Sequence, residues 1–400
     1  MSGAGGACRD DAEYVSFFRF FRRAYAALLR GLPGDTAGAA WQRDSAAYDE
    51  RRDSAARPVV GRPVVGRPVA ARPQKNGCLS GLRAAYTDSI ADSAKDYRGG
   101  KSGMGKIVCK FGGTSVADGN AAKRVQAIIK SNEARRYIVV SAPGKRFEGD
   151  TKITDVLYAA AGAAKENRSG DFKRAFGEVR GRFLSLARET AADGRFLNGL
   201  KAELDGIEEK IFRGGDEAYA ASRGEYLSAK IFAYLLGMPF ADAEETIRFS
   251  PDGRLDEKTY EIVRGRLCGM KRAVIPGFYG ADAQGGIHTF PRGGGDITGA
   301  VIARGVRADL YENWTDVSGV FADNPKTQPR TAALPFLTYA EFAARFRWES
   351  GAGVLHGEAA EIACGAGIPI RVLNTFRPED AGTTIAFAPT EIQKNTKLRL

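Results

Sequence analysis

The chain has 400 residues, 44% of them apolar and 27% charged, which is the balance of a folded water-facing protein long enough for two or three domains or one large α/β domain. No apolar run is long enough to cross a bilayer and no signal-peptide core opens the chain, so the expected location is cytoplasmic. The five cysteines, Cys8, Cys78, Cys109, Cys268 and Cys364, are odd in number and lack C-x-x-C spacing, while His288 and His356 are the only histidines; a disulfide framework and a histidine-built metal site are both excluded. The net charge of +11 is partly carried by the first hundred residues, and no zinc-finger, RNP or basic-helix pattern accompanies it. It points to anionic ligands rather than to nucleic acid.

Residues 1–103 differ from the rest. Tyr14 to Leu32 spaces its aromatic and apolar residues for one amphipathic helix with an arginine-rich far side. Arg-Pro then recurs every five residues at Arg57, Arg62, Arg67 and Arg72, a density of proline that favours extended polyproline conformation over a packed core. This stretch is expected to be a low-complexity extension dispensable for chemistry. Met104, directly before the first strand, fits a translation start.

From Lys106 onward, short β-branched or aromatic runs alternate with helical patterns. Strands are expected at Lys106–Lys110, Tyr137–Ser141, Ala273–Gly277, Asp309–Asn313 and Pro369–Asn374. Helices are expected at Asn120–Lys130, Thr154–Lys165, Asp171–Ala192, Leu197–Phe212, Ser222–Leu236, Asp296–Arg304, Tyr339–Phe346 and Gly357–Ala366. Apolar strands alternating with helices imply a parallel sheet covered on both faces, with ligands at the carboxyl ends of the strands.

Four motifs fall at such ends. Lys110-Phe-Gly-Gly-Thr-Ser-Val116 joins the first strand to a helix; its lysine and its glycines, Gly112 and Gly113, suit a phosphate, and alternatively a plain tight turn. Ser222-Arg-Gly-Glu225 opens a helix, where Glu225 either offsets the helix dipole or binds an amino group. In Arg292-Gly293-Gly294-Gly295-Asp296, three glycines between an arginine and an aspartate allow close backbone approach to a phosphate or carboxylate, whereas Asp296 alone would be read as a helix cap. Trp314-Thr315-Asp316-Val317 ends a strand in groups suited to a nucleotide or a metal-bound water, or forms a simple polar turn.

In their order, and with Val139-Val-Ser-Ala142, Thr154-Asp155, Gly353-Val-Leu-His356 and Ile368-Pro-Ile-Arg-Val-Leu-Asn374, these motifs resemble the aspartokinases of the amino acid kinase family. The resemblance covers about Lys106 to Phe387. It implies a three-layer α/β sandwich with a mainly parallel central sheet of about eight strands, in a catalytic domain at 104–387 followed by a polar tail at 388–400. It also implies L-aspartate and ATP as substrates, Mg²⁺ on the ATP phosphates, no dedicated protein metal site, no nucleic-acid or membrane partner, and a homodimer. By this likeness Lys110 contacts the transferring phosphoryl group, Asp296 orients Lys110 or the nucleotide, and Gly112 and Gly113 line the phosphates. Glu225 would hold the substrate ammonium, Arg292 its α-carboxylate, and Thr154 a further hydrogen bond, beside Gly293, Gly294 and Gly295. Thr315, Asp316, Phe321, Lys326, Gly353 and Val354 would line the nucleotide.

The departures from the family pattern are Gly295 for Ser, Phe321 for Tyr, Asn324-Pro-Lys326 for Asp-Pro-Arg, and Gly353 where many members place Lys. A missing hydrogen bond of this kind costs about 1 kcal/mol, so weakened binding rather than lost catalysis is expected. The short sequence after Phe387 leaves no room for paired ACT domains, and direct feedback by lysine or threonine is accordingly not expected. The alternatives are a relative acting on glutamate, acetylglutamate or a nucleoside monophosphate, and a non-catalytic nucleotide-binding subunit.

Overall fold

The computed structural model describes residues 105–214, 216–291, 293–322, 331–345 and 354–387. The chain divides into Met1–Tyr97 and Arg98–Leu400, and every described residue belongs to the second unit. The Arg-Pro repeat, the 14–32 segment, the 388–400 tail, Arg292, Lys326 and Gly353 lie outside the described residues.

Strand β1 (Ile107–Phe111) lies between β2 (Arg135–Val140) and β6 (Leu310–Thr315); β3 (Ala273–Pro276) lies beyond β2, and β8 (Ile370–Asn374), β9 (Thr383–Ala386) and β7 (Phe336–Thr338) follow β6 in that order. Strands β3 and β8 extend the parallel set, making five strands in one direction. The edge reverses: β9 is antiparallel to β8 and pairs in parallel with β7. The sheet therefore has seven strands among the described residues, and β4 (Tyr279–Ala281) pairs with β5 (Ile287–Thr289) as a separate antiparallel two-stranded ribbon.

The alternation of strand residues sorts two cores. Cys109, Phe111, Ile138, Val140 and Trp314 pack on one face, Val108, Tyr137, Val139, Tyr311 and Val372 on the other. The first face is covered by α1 (Gly119–Lys130), α2 (Ile153–Lys165), α3 (Ser169–Glu189), α4 (Gly194–Gly214) and α5 (Glu217–Leu236). After the short α6 (Ala243–Thr246), the second face is covered by α7 (Lys258–Met270), α8 (Gly294–Val306), α9 (Tyr339–Arg345) and α10 (Gly357–Gly365). Two helical layers around a mainly parallel sheet match the expected sandwich.

Two boundaries matter for function. Helix α5 starts at Glu217 rather than Ser222, because Asp216 accepts from the backbone N–H groups of Ala218 and Tyr219 as its cap. Glu225 thus stands two turns inside the helix, too deep to offset the dipole of its first turn. Helix α1 is capped by Asp118, which accepts from Ala121 N–H at 2.8 Å, while Glu189 accepts from Gly119 N–H at 2.7 Å. Its N-terminus is therefore occupied by carboxylates and is not free to receive a phosphate.

Candidate active site

A strand that ends in Lys110 and turns at once through glycines leaves its ammonium beside the backbone. The Gly112 N–H donates to the Trp314 carbonyl at 3.1 Å, and residues Gly113–Val116 wind into a single 3₁₀ turn. The first N–H groups of such a turn, those of Gly113 and Thr114, precede any acceptor within it and remain available to an anion. Glycine is required by proximity here: a Cβ on Gly113 would stand 3.1 Å from the Ala142 carbonyl oxygen, and one on Gly144 would stand 2.7 Å from the Gly113 carbonyl carbon. Gly144 N–H donates to the Gly113 carbonyl at 2.8 Å, so the two backbones are zipped together.

Lys110 Nζ lies 2.6 Å from Asp296 Oδ1, with both side chains nearly buried. The second carboxylate oxygen, Asp296 Oδ2, accepts from the His356 backbone N–H at 3.0 Å. Asp296 therefore does not cap α8: Gly293, at φ 92°, takes the cap position with no side-chain bond. That φ suits glycine, and a Cβ there would meet the His356 ring at 2.7 Å. Gly295 faces the same centre, since a Cβ on it would stand 3.2 Å from both Lys110 Cε and Ser141 Oγ. A serine at 295 would require one of them to give way.

Glu225 is buried, and its Oε2 has no hydrogen-bond partner. Burial pushes its carboxyl up to about 8, against the opposing pull of the Ala142 and Glu225 backbone N–H groups and of Arg223. Gly224 makes this placement possible, because a Cβ at 224 would stand 2.8 Å from the Ala142 Cβ. The end of β2 thus bridges the two halves of the site: Ala142 adjoins Glu225, and the preceding residue, Ser141, adjoins Gly295, which also faces Lys110. Thr154 sits half-buried at the start of α2.

The loop between Ala142 and α2 is held by charges. Arg182 Nη2 contacts Asp150 Oδ1 at 2.8 Å, and its Nη1 donates to the Gly144 carbonyl at 3.1 Å. Arg146 completes the group at 2.8 Å from Asp150, and its hydrogen bonds, then Arg182, hold the Asp150 carboxyl well below the usual range.

On the other side of Lys110, the Thr315 hydroxyl donates to Asp316 Oδ1 at 3.3 Å and the Thr114 hydroxyl to Asp316 Oδ2 at 3.4 Å, joining the two glycine-side turns. Ser115 and Thr375 hydroxyls meet at 2.8 Å. Phe321 is half-buried and bridges to Ala333; Val354, also half-buried, accepts from Asn313 Nδ2 at 3.4 Å. Thus Lys110, Gly112, Gly295 and Asp296 meet at one centre, Gly113 is zipped to the segment after β2, Thr315 and Asp316 join the glycine turn through Thr114, and Glu225 lies across the end of β2. The residues that sequence reasoning missed are Asn313, Gly144, Asp150 and Arg182. The last two lie far apart in the chain, so no local pattern could pair them.

The profile of the amino acid kinase family matches residues 105–374, the span that builds this sheet and this centre. The chain belongs to the amino acid kinase family. Among its relatives, aspartokinase 3 of Bacillus subtilis is 33% identical over 298 residues, covering 70% of this chain and 63% of that protein. Chloroplastic aspartokinase 1 of Arabidopsis thaliana is 30% identical, over 70% of this chain and 51% of that protein. The crystal structure of Clostridium acetobutylicum aspartate kinase superposes with a TM-score of 0.65 at 40% identity, covering 72% of this chain and 64% of that one. That of E. coli aspartokinase III in complex with lysine and aspartate gives 0.61 at 25% identity, over 71% and 65%. The chain spans less than two thirds of the length of these family members.

Proposed function

We propose that the chain transfers the γ-phosphoryl group of ATP to the side-chain carboxylate of L-aspartate, forming 4-phospho-L-aspartate. The observation that carries this reading is Glu225: a buried carboxylate with an unpartnered oxygen, one strand-end away from a lysine–aspartate pair. Such a group is costly unless a cation arrives, and a substrate α-ammonium supplies it. Arg292, Thr154 and the Gly293–Gly295 backbone are the proposed remaining contacts to the amino acid. The names of the similar proteins support aspartate as the acceptor.

The acceptor is already an anion, so no general base is needed to create a nucleophile. Catalysis then rests on alignment and on neutralising repulsion between two negative groups. Lys110 places its charge at the transferring group, Asp296 aims Lys110, and the Gly113 and Thr114 N–H groups receive phosphate oxygens. Thr315, Asp316, Phe321, Lys326, Gly353 and Val354 form the nucleotide side. Among the described residues no cluster of three His, Cys, Asp or Glu could hold an ion unaided. Asp296 already meets Lys110 through Oδ1 and the His356 N–H through Oδ2, so Mg²⁺ would be held mainly by the ATP phosphates and water, as this ion commonly is. When bound, Mg²⁺ offsets phosphate charge.

An acceptor panel with hydroxamate trapping of the acyl phosphate tests this reading. Turnover with L-aspartate and none with N-acetylglutamate, which lacks the ammonium, is expected. Preference for glutamate, acetylglutamate or a nucleoside monophosphate would replace it, and nucleotide binding without turnover on any acceptor would make the chain a binding subunit.

A further inference from the structure

Among the described residues, four buried side-chain atoms lack a hydrogen-bond partner: Glu225 Oε2, Ser228 Oγ, Asn313 Oδ1 and His356 Nδ1. Asn313 stands in the most telling place. It lies in β6 in register with Lys110 of β1, and residues paired across parallel strands present their side chains to the same face. That face is the one covered by α8, since Val108 and Tyr311, two positions before Lys110 and Asn313, belong to its core. The Tyr311 hydroxyl donates to the Asp296 carbonyl at 3.1 Å on the same face. Asn313 Nδ2 donates to the Val354 carbonyl at 3.4 Å, which fixes which end of the amide carries the nitrogen. Two residues further on, His356 N–H holds Asp296 Oδ2. The segment 354–356 is thereby tied at one end to Asn313 and at the other to the partner of Lys110.

The amide oxygen of Asn313 is buried with no hydrogen-bond partner, a cost that an aliphatic residue would avoid. Its neighbour across the other strand pair is Val372, so an aliphatic residue is the ordinary occupant of this row. A neutral acceptor beside a lysine has a specific use. It can align the ammonium without cancelling its charge, which a second carboxylate would do.

We infer that Asn313 is a positioning residue for Lys110: its amide oxygen receives an N–H of the ammonium when Nζ turns from Asp296 toward the phosphoryl group. This rests on the phosphoryl-transfer reading above. Asp296 holds the ammonium at rest and Asn313 receives it as it swings, which leaves the remaining N–H groups to the substrate.

The test compares the full chain with Asn313→Leu and Asn313→Asp in steady-state kinetics and thermal unfolding. Asn313→Leu should lower kcat about tenfold or more, the weight of one hydrogen bond to a charged group, with the KM for aspartate within about twofold of the parent. Its unfolding midpoint should stay within a few degrees of the parent's, because the lost bond to the Val354 carbonyl is offset by the removal of an idle buried acceptor. Asn313→Asp, which keeps an oxygen there, should recover part of kcat and move the basic limb of its pH profile upward, since a carboxylate retains the ammonium proton. A kcat for Asn313→Leu within twofold of the parent, or a loss confined to KM, overturns the inference. So does a midpoint several degrees lower, which would make Asn313 an ordinary structural residue. A parent without turnover defeats the functional reading instead, and the thermal comparison still decides whether the acceptor is idle at rest.

Discussion

At the scale of single residues, Glu225 makes a pH-dependent claim. Burial pushes its carboxyl up from the ordinary 4.5 to about 8 in the folded chain. Between those values the folded state holds a proton that the unfolded chain has released, so the contribution of Glu225 to stability is lost as pH rises through this window. Glu225→Gln removes that dependence: urea unfolding should find it more stable than the parent near pH 9 and close to it near pH 5. Binding of an ammonium requires the ionised form. The KM for aspartate should therefore fall about tenfold per pH unit on approach to 8 and level off above it, a slope that Glu225→Gln abolishes. A flat KM profile in the parent would show that Glu225 does not meet the ammonium.

Elements position these residues, and close backbone contacts are where they are most sensitive. Gly224→Ala drives a methyl to within 2.8 Å of Ala142 Cβ and 3.3 Å of Leu157, so α5 must retreat from the end of β2. Overpacking of this kind costs about 1–3 kcal/mol, and here it also carries Glu225 away; a lowered unfolding midpoint and a raised KM for aspartate should appear together. Arg182→Ala should free the 144–150 loop and lower the midpoint as well, because it removes one partner of a buried ion pair, although Arg146 still faces Asp150.

Most of these elements are legible in the sequence because the parallel strands are short runs rich in β-branched, aliphatic or aromatic residues set between helical patterns. All five expected strands stand within two residues of their observed ends. Helix α7 went unread: its buried residues, Thr259, Tyr260, Val263 and Leu267, are few, and Gly265 and Gly269 interrupt its pattern. The edge strand β7 has three residues, too short for period-two alternation to register. The site was legible where chemistry is concentrated in motifs, as at Lys110, Glu225 and Asp296. It was opaque where the partner comes from a distant strand, as with Asn313, or where a cap lies outside the motif, as Asp216 does for the helix bearing Glu225.

For the molecule as a whole, every described site residue comes from the unit Arg98–Leu400, and both cores are built from residues of that unit alone. We propose that residues 104–387 form the catalytic domain. A chain beginning at Met104 should keep kcat and KM within about twofold and the same unfolding midpoint. Loss of activity on that deletion would give residues 1–103 a part in catalysis or assembly. The central claim is that one lysine, set between a carboxylate and a glycine turn, carries phosphoryl transfer to aspartate. The direct measurement is aspartate-dependent ATP consumption by the parent and by Lys110→Ala at saturating substrates. A fall of at least about a thousandfold, with folding unchanged, is the predicted result; equal rates for the two proteins would contradict it.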